Sequence, residues 1–591
     1  MKKMKKQFKK ALAVITAAAL MLGSVTAFAA DEKKNGNKAI ITASNVVNTI
    51  INGAFSLVDA LFLTPDYPTV DEYYAGESEN FFEGTKSFID SPAENAKWSL
   101  GFAKASIVPD DLADGSKEYY TGGYFTQKVS SVYDDQSVNA IALSDGSGRG
   151  TAIFASIDGI GVCNADIRSI RAAVEEKLAE KNIENDIIAI NINSTHAHTL
   201  IDTQGFGLEL IPKIFRNIIA NLPFIDPVRS LDEDFLEIMI DGASDAIVNA
   251  YLGAESGELY YFETAGIGKN DEKGLYPDDE YGYLTNKRYG EGYQHSIACF
   301  KFVPDSKNSQ PTVFANLGAH PTTIDRSTDK LSADFPHYIE DEMNENGMNF
   351  MFIQGAQSPV SVIKSGVKNE GVLAEIEEEN TPDEYKSAKS LGYEFARLIL
   401  EAQKNAKPVS PVLNVKMKEI TVNVDKGLFH LGITAQLLGF TCVRDKSSKS
   451  GYSVITEVGY IEIGENIVML TVPGELVPQL VYGNVVSAEE AYLGTDWAFE
   501  PTAEIIRKND SDKTVLVMGL CNDAIGYIIP DNDYAPFIAD SLWGMEIGDW
   551  QLGEALFGKY HRHYEEMLSL GSTAASSVMG EINNLAEEAN K

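Results

Sequence analysis

Apolar, β-branched runs alternate along this chain of 591 residues with segments of helical period. The short runs, bounded by turn residues, predict strands at 138–143, 150–157, 186–193, 311–317, 349–354, 454–462, 465–472 and 514–519. Apolar residues three and four apart predict helices at 166–181, 232–252, 336–346, 382–405 and 563–588. No repeat and no low-complexity tract interrupts the pattern. Strands alternating with helices indicate an α/β class, mixed α+β in detail: one large domain with helices packed around strands whose ends carry the reactive residues.

Two segments stand out for their apolar faces. Residues 46–63 place Val47, Ile50, Ile51, Ala54, Val58 and Leu61 at helical spacing, and residues 206–225 do the same with Ile211, Phe215, Ile218 and Leu222. Such helices either pack into a core or form an apolar rim for a lipid chain, with peripheral contact to a membrane or micelle. The pattern alone leaves both open.

The first thirty residues differ from the rest. A basic MKKMKKQFKK, an apolar ALAVITAAALMLGSVT and a small-x-small Ala27-Phe28-Ala29 predict a signal peptide over 1–29. The mature protein is expected to be secreted or extracytoplasmic, cleaved near Ala29, and no lipobox cysteine accompanies the signal. The expected organisation is then 1–29 signal, 30–94 an N-terminal segment with an amphipathic helix, and 95–591 the main domain.

Charge narrows the partners. The formal net charge is −37, and it becomes −43 when the signal's six lysines leave. A surface that acidic repels phosphate backbones, which excludes nucleic acid as a partner. Cys163, Cys299, Cys442 and Cys521 are too scattered for a disulfide framework or a CxxC zinc knot. Stability must rest on the core, which 44% apolar residues can supply.

Candidate chemistry begins at INSTHAHTL, residues 192–200, which follows the apolar IIAINI. Residues two apart on an extended chain share a face, so His196 and His198 are expected to reach one site, and paired imidazoles suit zinc. On its own H-x-H is a weak signal. Its architecture recurs, however: PTVFANL runs into Gly318-Ala319-His320-Pro321, NFMFIQ into Gly355-Ala356-Gln357-Ser358-Pro359, NIVMLTV into Pro473-Gly474-Glu475, and TVLVMGL into Cys521-Asn522-Asp523 with Tyr527 close behind. Sheets present sites at strand ends, and two nitrogens, a carboxylate and a phenol make a mixed N/O zinc shell with a position open for water.

These stretches resemble the neutral, non-lysosomal ceramidases. That family carries T-H-T-H-S-G-P after a strand, then H-P-x or H-G-x with a short S-A-D or S-G-D, then G-D-V-S-P-N, P-G-E and a late asparagine-tyrosine segment. The counterparts here are Thr195 to Thr199, Ala319 to Thr322 with Ser332-Ala333-Asp334, Gly355 to Val360, Val472 to Leu476, and Gly519 to Tyr527, in the family's order over roughly 95 to 585. The resemblance implies one Zn2+ per chain held by His196, His320, Glu475 and Tyr527, with His198 beside the water at the open position. It also implies that Ser358 is the serine assigned as nucleophile, that Arg288 is the family's site arginine, and that Tyr564 is a second site tyrosine. The implied activity is hydrolysis of a linear amide bond, releasing a fatty acid and a sphingoid base from a ceramide-like N-acyl lipid, within sphingolipid metabolism.

Departures limit the match. Thr199-Leu200-Ile201-Asp202 replaces S-G-P, and Ala356 and Val360 replace the loop's aspartate and asparagine. The metal shell therefore matches more completely than the substrate-contacting residues. The chain also ends where the family's catalytic domain ends, so the expectation is a divergent, short, bacterial-type member without the C-terminal immunoglobulin-like domain.

The chemistry stands without the name. Zinc can lower the pKa of bound water to about 7 and polarise a carbonyl, His198 or Tyr564 can pass a proton to the leaving nitrogen, and Ser358 can attack or donate to the developing oxyanion. Another metal-dependent amidohydrolase acting on a non-sphingolipid N-acyl amide stays open, as does a secreted lipid-binding protein that has lost catalysis. The H-x-H-x-D-H pattern fails at Leu200 and Ile201, an amidohydrolase barrel would have to draw on His295, His320, His337, His430, His561 and His563, and neither a G-x-S-x-G elbow nor a P-loop is present.

Overall fold

The computed structural model describes residues 65–591, apart from most of 206–227, 265–293 and 536–564 and a few shorter stretches. The predicted helix at 46–63 and the named apolar residues of 206–225 lie outside the described residues, as does Tyr564. The signal-peptide reading falls there too.

The first sheet is built from β1 (Trp98–Ser106), β2 (Ser137–Ser144), β3 (Thr151–Ile157), β4 (Ile187–Ser194), β5 (Glu255–Glu263), β6 (Ala298–Pro304), β7 (Thr312–Leu317) and β8 (Asn349–Gln354). Their order is β8-β7-β6-β5-β1-β2-β3-β4, and Lys407–Pro408 adds a ninth short strand against β5. The second sheet runs β9 (Leu413–Asn423), β11 (Tyr452–Ile463), β12 (Ile467–Thr471), β13 (Thr514–Met518), with β10 (Thr441–Arg444) also on β11. Pairing is antiparallel except at β3 with β4, β7 with β8, and β12 with β13.

Both faces of each sheet are covered, which explains the unbroken apolar runs. In β11, Val454, Val458 and Tyr460 join one cluster, while Ile461 and Ile463 join another. The second cluster lies between the sheets: Phe154, Phe300, Phe314 and Met351 of the first meet Val415, Met469 and Leu516 of the second. Outside it, α1 (Asn164–Glu180) and α2 (Glu233–Leu252) cover β1 to β4, α3 (Phe335–Glu345) and α4 (Asp383–Ala402) cover β6 to β8, and α5 (Ala574–Ala589) covers the second sheet. The layers are helix, sheet, sheet, helix, a mixed α/β architecture.

The predicted strands are all present within one or two residues at their ends. The apolar pattern does not predict five of the labelled strands: β1, β5, β6, β9 and β10. β5, ESGELYYFE, alternates buried with exposed positions and carries glutamates, so it offers no apolar run. The helix expected at 563–588 is narrower, a 3-10 turn at Glu565–Leu568 followed by α5. All four cysteines are buried and free. No described helix is long and apolar enough to cross a membrane.

Candidate metal centre

The three parallel strand pairs end at the same place. Ile160 follows β3 and His196 follows β4; His320 follows β7 and Ser358 follows β8; Glu475 follows β12 and Tyr527 follows β13. Parallel neighbours carry their loops at the same end, so three pairs bring six loops together. The sheets are joined there: Asn522 N donates to Ile192 O at 2.8 Å, Asn522 Oδ1 accepts from Ile192 N at 2.9 Å, and Asn316 Nδ2 donates to Val517 O at 2.8 Å.

His196, His320 and Glu475 are buried, with one ligand atom from each within 4.8 Å of the others. Glu475 Oε2 is 3.2 Å from His196 Nε2 and 3.1 Å from His320 Nε2. Each ring is anchored at its other nitrogen: His196 Nδ1 lies 2.6 Å from Ile160 O and His320 Nδ1 lies 2.8 Å from Val360 O. A carbonyl only accepts, so both Nδ1 atoms carry the proton, and a neutral ring then turns its Nε2 lone pair toward the carboxylate. Burial lowers the pKa of His320, His196 beside it adds to the effect, and both outweigh the carboxylate's opposing pull. Burial alone would raise Glu475, and only positive charge on the side of the two Nε2 atoms, a ring proton or a bound cation, holds it low. An ionised carboxylate and imidazole lone pairs thus converge on one buried point, an arrangement that repels itself unless a cation lies between. Three donors about 2.0–2.1 Å from a tetrahedral zinc would stand roughly 3.3 Å apart. The donor set fits zinc.

His196 does not continue the strand. β4 ends at Ser194, and His196 has φ 68, in the left-handed region that a non-glycine residue enters only when held there. The two histidines therefore meet through a turn and not through the pleat expected from H-x-H. His198 stacks close by, its ring centroid 4.8 Å from that of His196 and 6.2 Å from that of His320. The backbone at Gly123 walls it in: a Cβ there would stand 2.9 Å from His198 Nδ1.

Tyr527 is buried and pairs in parallel with Glu475, so both side chains leave the ladder on the same face. Gly474 permits that pairing, since a Cβ would fall 2.4 Å from Gly526 O. Ser358 is fully buried, its N donates to Leu476 O at 3.2 Å, and its Oγ has no hydrogen-bond partner among the described residues. The Ser332-Ala333-Asp334 segment ties two ligand loops together: Thr199 Oγ1 donates to Ser332 O at 2.7 Å, and Asp334 accepts from Thr323 N at 2.8 Å and Ile324 N at 3.1 Å.

Arg288 is fully buried in a different company. It donates to Asp533 Oδ2 (3.0 Å), Asp533 O (2.7 Å), Glu565 Oε2 (3.0 Å) and Glu566 Oε1 (3.0 Å). These contacts make it a charge hub that fastens the segment around 533 to that around 565.

Layered sheets with a buried two-histidine, one-glutamate constellation at their strand ends define the class of fold and site. No protein-family description and no curated protein sequence matches the chain. Among solved structures it is similar to the neutral ceramidase from Pseudomonas aeruginosa, with a TM-score of 0.56 and 13% identity over 84% of this chain and 75% of that one. It is also similar to a ceramidase complexed with C2, with a TM-score of 0.53 and 12% identity over 84% and 76% of the two chains. The fold is ceramidase-like.

Proposed function

We propose that this protein is a secreted, zinc-dependent amide hydrolase that cleaves the N-acyl bond of ceramide or a related N-acyl lipid, releasing a fatty acid and an amine. The observation that carries the reading is the convergence of the Glu475 carboxylate and the His196 and His320 Nε2 atoms on one buried point. The ceramidase-like fold supports the substrate class.

His196, His320, Glu475 and Tyr527 would hold one zinc, and their loops, rooted in three strand pairs, keep the site rigid. When bound, zinc polarises an amide carbonyl and makes water acidic enough to attack at neutral pH. The chain supplies the rest. His198, packed against His196, takes the proton of the attacking water and returns it to the leaving nitrogen as the C–N bond breaks. Ser358, with no internal acceptor for its hydroxyl, donates a hydrogen bond to the carbonyl oxygen as negative charge grows on it. Tyr564 is the second candidate to pass a proton to the leaving nitrogen, and Arg288, the site arginine of the reading, is held by Asp533, Glu565 and Glu566.

The test is to incubate purified protein with ceramides and other N-acyl amides and to detect the freed amine by mass spectrometry, with and without chelator. Release of a sphingoid base that chelator abolishes and zinc restores is the expected result. Turnover that chelator leaves untouched overturns the mechanism; turnover confined to non-sphingolipid amides moves the substrate class; one bound zinc with no turnover of any amide leaves a binding protein.

A further inference from the structure

Gln354, the last residue of β8, is fully buried, and every polar site of its side chain is used. Nε2 donates to Thr195 O at 2.8 Å and to Ala319 O at 3.0 Å. Oε1 accepts from Ala319 N at 3.2 Å and from Gly355 N at 3.2 Å. Thr195 precedes His196 and Ala319 precedes His320. One carboxamide therefore grips the peptide plane that leads into each histidine.

The other edge of each plane is gripped as well. His196 N donates to Gly159 O at 2.8 Å, and His320 N donates to Val360 O at 3.1 Å. A peptide plane held at both its N–H and its C=O cannot rotate, and its rotation is what sets φ of the next residue. At His196 that φ is 68, a conformation that relaxes unless the surroundings impose it. Room for the grip comes from Gly318 and Gly355: a Cβ on Gly318 would lie 2.5 Å from Ala356 O, and one on Gly355 would lie 2.7 Å from Gly318 N.

We infer that Gln354 is a positioning residue that sets the backbone of both histidines at once and so fixes the distance between their Nε2 atoms. It touches neither substrate nor metal. The inference deepens the metal-site reading and rests on it for its consequence, although the grip itself is a property of the metal-free chain. Asparagine is one methylene too short to span the two loops. Glutamate has the right length but no N–H, so it would set a carboxylate oxygen against two carbonyl oxygens.

The experiment compares wild type with Gln354→Glu and Gln354→Met in two readouts. Hydrogen–deuterium exchange of the metal-free proteins is followed in peptides covering 194–200 and 317–323, with peptides from β11 and α5 as controls. The expected result is that both ligand peptides lose protection while the controls do not. Zinc affinity is measured by competition with a chromogenic chelator and is expected to fall about 10- to 100-fold in both variants, the range for lost outer-sphere partners. Wild-type protection in both ligand peptides overturns the inference, and so does unchanged zinc affinity in variants that have lost protection. If wild type itself takes up no zinc, the metal reading fails while the exchange comparison still decides whether Gln354 holds the two loops. Should Gln354→Met lose protection in the controls too, the isosteric Gln354→Glu decides alone.

Discussion

Two of the charged constellations buried among the described residues, one at Arg288 and one at Glu475, are built on opposite plans. Around Arg288, donors meet acceptors: one guanidinium is enclosed by Asp533, Glu565 and Glu566, and its N–H groups point at oxygen. At His196, His320 and Glu475, acceptors meet acceptors, because the ring protons are engaged on Ile160 O and Val360 O and only lone pairs face inward. The first arrangement pairs hydrogen with oxygen. The second is complete only around a cation. Burial and net charge do not separate a structural cluster from a ligand site; the direction of the donors does.

The largest effect should come from breaking the Arg288 cluster. Arg288→Met removes the guanidinium from three buried carboxylates and should cost about 3–5 kcal/mol, or prevent folding, as read from urea denaturation and soluble yield. If Arg288 acts on substrate instead, the variant will keep its stability and lose only rate.

Asp523 provides a milder case of an unbalanced buried carboxyl. Burial raises its pKa to about 7, against the N–H groups of Ala524 and Asn164 and the hydroxyl of Thr456, which pull it down. A raised folded pKa favours the protonated folded state, so this stability is complete below the unfolded value near 4 and is lost as pH rises to about 7. Asp523→Asn keeps an oxygen for the two N–H groups and removes the loss. Its advantage over wild type should be near zero at pH 4 and of the order of a few kcal/mol at pH 8, measured as the difference in denaturation midpoint at the two pH values. An advantage that does not change with pH would contradict the raised pKa.

Filling the second constellation should stabilise the protein by mass action. Zinc at one hundred times its Kd adds about 2.7 kcal/mol. Glu475→Gln should abolish that gain with little change in the metal-free melting temperature, whereas His198→Ala should keep the zinc-induced shift and lose turnover. A zinc shift that survives Glu475→Gln would remove this carboxylate from the shell.

Much of this was legible along the chain, for physical reasons that differ by element. β3, β4, β7, β8, β12 and β13 lie between layers and are apolar on both faces, so they read as unbroken runs, and the same burial forces their reactive residues out to the ends. β1 and β5 mix polar with apolar positions and left no such run. Gln354 was overlooked as a functional residue although it closes an apolar run, as Asn316 nearly closes β7 and Asn193 nearly closes β4. A buried amide at the end of an apolar strand is a signal of its own, since its burial is costly unless its polar atoms find partners, as all of those of Gln354 do.

The amino-acid order by itself determined which residues stand at strand ends, because hydrophobic periodicity and turn chemistry are local properties. It determined that His196, His320, Glu475 and Tyr527 each follow an apolar strand. That β4 and β7 lie toward opposite edges of one sheet, that the Glu475 and Tyr527 loops arrive from another, and that His196 must turn to φ 68 to meet them were decided only in three dimensions. Separations of 124 residues between the histidines and 155 between His320 and Glu475 leave no local trace, because the free energy that closes them comes from burying the layer between the sheets and not from the site itself.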